Sequence, residues 1–167
     1  LLLLSGVAIA ALAGAGIGVL TYLANDMALR DLTLWQMGSI AGAQWLYVSL
    51  CLVTLALLSW RFHQDAAALN ALLLGESEAR QLGIDVDRLK LRLILLCALG
   101  VGVSVAATGI IGFIGLVVPH LVRMMLGPDH RQLLPISALL GAALLALADI
   151  GARAFLPPAE LPVGLVT

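Results

Sequence analysis

The sequence has 167 residues, 62% of them hydrophobic and only 11% charged, with a formal net charge of −1 and a mean hydropathy of +1.08. Ordinary soluble domains carry about 25% charged residues, so a soluble fold of this length could not cover its apolar surface, and the chain reads as an integral membrane protein. Near-neutral charge supplies no basic field for nucleic acid, and Cys51 and Cys97, both inside apolar runs, read as packing residues rather than a disulfide.

The chain opens on LLLLSG, inside an apolar run and without Met, and stops at LPVGLVT, where another apolar segment begins. No basic region precedes Leu1 and no small-residue cleavage site of the usual form follows, so a signal peptide is not expected. The expectation is a fragment of a longer membrane protein. Leu1 to Leu23 carries no charge. As helix it reaches ~34 Å, enough to span the hydrocarbon core. Gly6, Ala8, Ala10, Ala11, Ala13, Gly14, Ala15, Gly16 and Gly18 make one side of it thin. In lipid, small residues permit close helix approach. Two readings stand: a tightly packed helix, or one that lines a pathway or a dimer seam.

Asn25 to Asp31 reads as a polar loop. Leu32 to Trp60 is uncharged and too short for two full spans. Gly38 and Gly42 suggest a break, giving a short amphipathic helix over about 28–42 and a span over about 46–61. Trp35, Trp45 and Tyr47 suit headgroup depth. Arg61 to Asp65 ends that span.

Asn70 to Arg92 is the longest polar interruption, with Arg80, Arg88, Lys90 and Arg92 inside it. Lipid cannot hold it. Leu69, Leu72, Leu73 and Leu74 form an apolar patch before Gly75. Helix formers run from Glu76 to Leu82, and Gly83 is a natural terminator. Asp85 is a fair N-cap for a second short helix. A merely solvated linker would leave the leucine patch bare in water. Leu89 to Thr108 is the next span. GIIGFIG, from Gly109 to Gly115, follows without a polar loop. It requires a fold-back buried within protein, since lipid satisfies no backbone groups. Leu116 to Leu126 is a half-length helix of ~17 Å. GPDHR, from Gly127 to Arg131, is a turn, and Leu133 to Ala152 is a span with Pro135 in its first turn.

With crossings at 1–23, 46–61, 89–108, 116–126 and 133–152, one side holds Arg61, Arg80, Arg88, Lys90, Arg92, Arg123 and Arg131. The other holds Arg30 and Arg153. The positive-inside rule makes the first side cytoplasmic. His63, His120 and His130 all fall on that side and read as structural groups, not metal or haem ligands. No glycine-rich phosphate loop with its Lys is present, so any ATP-derived energy has to come from another chain.

At GESEARQLG (75–83), TGIIGFIGLVVPHLVRMMLGPDHRQLLP (108–135), ALADIGAR (146–153) and PAELPVG (158–164), the sequence resembles the permease subunit of type II ABC importers. These carry vitamin B12, iron-siderophore complexes or haem. The resemblance covers essentially the whole chain. It implies an all-α polytopic membrane helix bundle running from about the fifth helix to the start of the tenth of a ten-helix protomer. That bundle includes a half-spanning helix and two short coupling helices. It implies one transmembrane domain over 1–167 with a cytoplasmic coupling loop over 63–88.

The resemblance further implies a homodimer in the lipid bilayer, two ATP-binding subunits on the cytoplasmic side, an external substrate-binding protein, and no nucleic acid. No cofactor is expected in this chain, ATP and Mg being bound by the partner ATPase, and no catalytic residue. Gly75, Glu76, Glu78, Ala79, Arg80, Leu82 and Gly83 match the motif that docks into a cleft of the ATPase. Glu78-Ala79 and Gly83 stand where the importer signature has Glu-Ala and Gly. Gly6, Ala10, Ala13, Gly14 and Gly18 fall in the segment that lines the pathway, and the short helix after it caps the outer mouth. Arg153 matches an outward Arg that pairs with an acid of the binding protein. A local pair with Asp149, four residues back, is compatible with that role. On overall resemblance an iron chelate or haem is expected ahead of vitamin B12.

Two other classes stay in view. A secondary transporter driven by an ion gradient would want ionisable groups at mid-membrane, and only Asp149 comes near. An intramembrane enzyme needs paired catalytic groups at one depth, and no such cluster is found.

Overall fold

The computed structural model describes residues 2–40 and 43–155, with side-chain surroundings for 4–40 and 43–152. All regular structure among these is helical: α1 (Leu2–Leu23), α2 (Asp26–Gln36), α3 (Trp45–Leu72), α4 (Glu76–Gln81), α5 (Val86–Thr108), α6 (Ile114–Leu126) and α7 (His130–Phe155). α1, α3, α5 and α7 are long and apolar enough to cross a membrane. The chain divides into two compact units, Leu1–Gln36 and Met37–Thr167.

In the first unit, Gly6, Ala10, Gly14 and Gly18 recur every four residues and so share one face of α1. All four are exposed, and a Cβ at Gly6, Gly14 or Gly18 would meet open space. α2 starts earlier than expected. Residues 25–31 are not a loop, because Asn25 caps the helix: its Oδ1 accepts the Ala28 N–H at 2.9 Å. Nor does α2 reach 42, since it stops at Gln36.

In the second unit, Gly38 takes φ +70 and is buried. A Cβ there would lie 2.6 Å from the Ile110 carbonyl oxygen. The Ser39 N–H donates to Thr108 O at 2.8 Å, so this turn is fastened to the end of α5. α3 does not end at Arg61–Asp65 but runs 28 residues to Leu72. That is ~42 Å against a hydrocarbon core of about 30 Å. The charges mark where helix leaves lipid, not where helix stops; Ala66, Ala67, Ala68 and Leu69 carry no breaking signal. Residues 63–72 of the expected coupling loop are therefore helical. α3 packs against α5 and α7. A Cβ on Gly100 would strike Leu58 Cδ1 at 2.6 Å, so the missing side chain sets the α3–α5 approach.

The fold-back between α5 and α6 is present, but only Gly109 of it is buried, while Ile110 and Phe113 are exposed in this chain by itself. Gly109 takes φ +77 and ends α5. Phe113, at φ 63 and ψ −48, centres a tight turn in which the Ile114 N–H donates to Gly112 O at 2.7 Å. This is the strained hand of the γ-turn. α6 has 13 residues, a half-length piece of ~20 Å. It buries Val118 and Val122 against Leu133, with Ile114 and Leu140 alongside. α6 and α7 thus share a core, and Gly141 lets Ile114 approach α7.

Candidate functional site

The polar stretch after α3 folds as a ledge built on α4. Four residues before it, α3 closes with the Leu73 and Leu74 N–H groups on Asn70 O and Ala71 O at 3.2 and 3.1 Å. Gly75 then reverses the chain at φ 123, ψ 158, a region essentially reserved for glycine. Any Cβ there would run into the Glu78 carboxylate. Gly75 O accepts the Ala79 N–H at 3.0 Å, opening α4.

α4 is six residues long and closes with a Schellman motif. The Ile84 N–H donates to Ala79 O at 3.1 Å, the Gly83 N–H to Arg80 O at 3.0 Å, and Gly83 takes φ +83. Asp85 is the cap expected there, its Oδ1 accepting the Arg88 N–H at 3.1 Å. The helix it starts is not short. It continues as α5 to Thr108, because a cap marks a beginning and no Gly or Pro interrupts the turns from Val86 to Leu99.

A helix this short is not stable by itself. α4 packs on α3 and α5, with Ala79 fully buried and Val86 and Leu89 of α5 buried as well. Two ion pairs hold it to α5: Glu76 with Lys90, and Arg80 Nη2 with Asp87 Oδ2 at 3.1 Å. A third fastens α5 to α3, Arg92 Nη1 to Asp65 Oδ1 at 2.8 Å. Asp65 is buried and its Oδ2 has no hydrogen-bond partner, so Arg92 on Oδ1 is what compensates the carboxylate and this pair is the costly one to break. Exposed pairs contribute only about 0.2–1 kcal/mol.

The charges tune one another. The hydrogen bond from Lys90, then its charge, holds the Glu76 carboxyl below the usual carboxylate range. The Ser77 hydroxyl, donating to Glu78 Oε2 at 2.6 Å, lowers Glu78 in the same sense.

The outward side carries Ser77, Glu78, Gln81 and Leu82, all exposed. Leu73, Leu74 and Leu82 are 50%, 69% and 65% exposed around it. Three exposed leucines thus lie beside the charges of the ledge.

Gly75, Glu76, Glu78, Ala79, Arg80, Leu82 and Gly83 thus fall together in one helix and its two caps. The roles are divided: Gly75 and Gly83 shape the backbone, Glu76 and Arg80 tie the helix down, Ala79 packs, and Glu78 and Leu82 face out. Gly6, Ala10, Ala13, Gly14 and Gly18 lie on α1 in the other unit. Arg153 is in α7, but its side chain lies outside the described residues. His63 and His130 border a groove of about 460 Å³ between α3 and α7, and His120 is elsewhere on α6. Among the described residues no cluster of three or more His, Cys, Asp or Glu could hold a metal.

Reading by sequence missed the partners: Asp65, Asp87 and Asn70. Lys90 and Arg92 were visible there only as positive-inside charges. Asn70 Nδ2 donates to Asp129 Oδ1 at 2.6 Å, across 59 residues of chain, and no local pattern announces that.

The profile of the FecCD transport family matches residues 1–167. The chain is 53% identical to the hemin transport system permease protein HmuU of Yersinia pestis over 169 residues, covering 99% of this chain and 50% of that protein. It is 51% identical to the vitamin B12 import system permease protein BtuC of Vibrio cholerae over 166 residues, again 99% of this chain and 50% of that one. A solved structure described as an inward-facing conformation of an ABC transporter of metal-chelate type superposes with a TM-score of 0.90 at 34% identity. That match covers 96% of this chain and 52% of that one. The chain therefore spans about half the length of the relatives it matches.

Proposed function

The chain belongs to the FecCD transport family, and on that premise we propose that it forms part of the permease of an ATP-driven importer. Its cargo is a bulky metal chelate, haem or an iron-siderophore complex ahead of vitamin B12. It is a multi-pass protein of the cell membrane, and α4 with its flanking turns is the cytoplasmic surface that receives a separate ATPase. The permease works as a homodimer with two such ATPases and an external binding protein. α1 lines the pathway through Gly6, Ala10, Ala13, Gly14 and Gly18, and Arg153 is the residue that pairs with an acid of the binding protein.

One observation carries this reading: a six-residue helix, too short to stand alone, is braced by two ion pairs and two glycine caps beside exposed Leu73, Leu74 and Leu82. A brace of that kind suits a surface that takes force. The names of the similar proteins support the cargo class, and the small-residue face of α1 suits passage of a large, uncharged-walled load.

The test is ATP-dependent uptake by the complete transporter in sealed vesicles, with haem and with vitamin B12 offered separately. Glu78→Lys and Gly83→Arg are expected to abolish uptake while insertion into the membrane persists. Full uptake by both variants would end the coupling role of α4.

A further inference from the structure

The side chain of Asn70 does not join the ledge. It sits on the last turn of α3, six residues before α4, and turns toward the start of α7. Helix α7 begins with N–H groups that have no partner in their own helix. Asp129 serves two of them: its Oδ1 accepts from Arg131 at 2.9 Å and its carbonyl from Gln132 at 3.2 Å, the Leu133 N–H to that carbonyl at 2.9 Å being the first bond of the helix itself. The N–H of His130, the first residue of α7, donates to Asn70 Oδ1 at 2.8 Å. That bond fixes which end of the amide is oxygen. The same Oδ1 lies 2.9 Å from His130 Nδ1, and Nδ2 donates to Asp129 Oδ1. Asn70 therefore caps a helix that is not its own. The Arg131 N–H first, and the Asn70 amide next, hold the Asp129 carboxyl below its usual range, so the acceptor is ionised at neutral pH.

α3 already packs along α7, and this cap adds a directional polar link where α3 ends and α7 begins. α7 shares a core with α6, so the start of α7 carries the half-length helix with it. α4 hangs from the end of α3 by residues 73–75. The α4–α5 ion pairs give the ledge one hold on the bundle, and Asn70 gives the end of α3 a second, directed at α6 and α7. We propose that Asn70 is a positioning residue for transport: it passes displacement of the α4 ledge to the α6–α7 pair. This rests on the reading of α4 as the ATPase-receiving surface. Without the cap the ledge still binds its ATPase and hydrolysis continues, but α6 and α7 follow less closely through the α3–α7 packing that remains.

The swap that isolates this link is Asn70→Asp with Asp129→Asn. Asn70→Asp alone sets two carboxylates at hydrogen-bond distance and breaks the cap by repulsion. With Asp129→Asn added, the amide nitrogen takes the place of the Oδ1 shared by Asn70 and Arg131 and donates to the new carboxylate, giving up the Arg131 bond, while the carboxylate accepts from His130. The complete transporter is reconstituted in vesicles, and cargo moved per ATP hydrolysed is measured together with the hydrolysis rate. For Asn70→Asp the expected result is assembly and hydrolysis at the wild-type level, with cargo per ATP lower by about tenfold, the size of a typical coupling between sites. The double variant is expected to recover part of that loss. Wild-type cargo per ATP in Asn70→Asp, failure of that variant to assemble, or no recovery in the double variant would each overturn the proposal. Absence of ATP-driven uptake in the wild type would instead overturn the permease reading itself.

Discussion

Two glycines bound α4, and their replacement by alanine separates backbone conformation from packing. At Gly83 (φ +83) an added Cβ has open space around it, so only the left-handed backbone resists. That costs about 1–2 kcal/mol. At Gly75 (φ 123, ψ 158) the backbone lies where L residues hardly occur, and the Cβ also displaces the Glu78 carboxylate. A cost of about 3 kcal/mol, the upper end for such strain, follows. Both penalties fall on the ledge rather than on the spans, so they appear as local opening. The assay is amide hydrogen exchange of the intact protein in nanodiscs, read at Ala79 and Ile84, whose N–H groups close the two ends of α4. Each 1.4 kcal/mol is tenfold, so exchange should quicken about 5- to 30-fold for Gly83→Ala. For Gly75→Ala it should quicken on the order of 100-fold, with the spanning helices unchanged. Equal effects, or a larger one at Gly83, would refute the assignment of distinct backbone roles.

The ion pairs should rank by burial. Arg92→Met strands the buried Asp65 carboxylate and is expected to cost about 3–5 kcal/mol. Lys90→Met should cost under about 1 kcal/mol, both read by chemical unfolding in detergent. Gly38→Ala combines a positive φ with a Cβ 2.6 Å from a backbone oxygen that cannot swing away. It is expected to destabilise by about 2–3 kcal/mol, seen as a lower unfolding midpoint, whereas Gly102→Ala, which has open space, should be neutral or better. The pH dependence follows from Glu76. Its carboxyl titrates lower in the folded ledge than in an open one, so its contribution is complete above the ordinary Glu value near ~4.3 and is lost as pH falls below it. Exchange at Ala79, corrected for intrinsic rate, should rise over that acid range, and Glu76→Gln should flatten the rise.

Local chemistry made much of this legible beforehand. The uncharged runs marked α1, α5 and α7, Gly83 marked the end of α4, Asp85 marked the start of α5, and GIIGFIG announced a turn, though not its exposure in this chain. The boundaries that went astray share one cause. Hydropathy reports contact with lipid, whereas helix continues as long as the backbone allows. Hence α3 passes through Arg61 and Asp65 to Leu72, and the helix opened at Asp85 runs on to Thr108. The site residues came into view as a cluster in sequence, but their division of labour did not. That Ala79 is buried while Leu82 faces out, and that Asp65, Asp87 and Asn70 hold the pieces together, depends on partners in other helices.

The most direct measurement is a photo-crosslinker at position 82, the exposed apolar side chain at the end of α4. In vesicles of the complete transporter it should attach to the ATPase subunit and stay hidden from membrane-impermeant reagents added outside. Attachment to the external binding protein, or labelling from outside, would contradict the claim that α4 is the surface on which the ATPase acts.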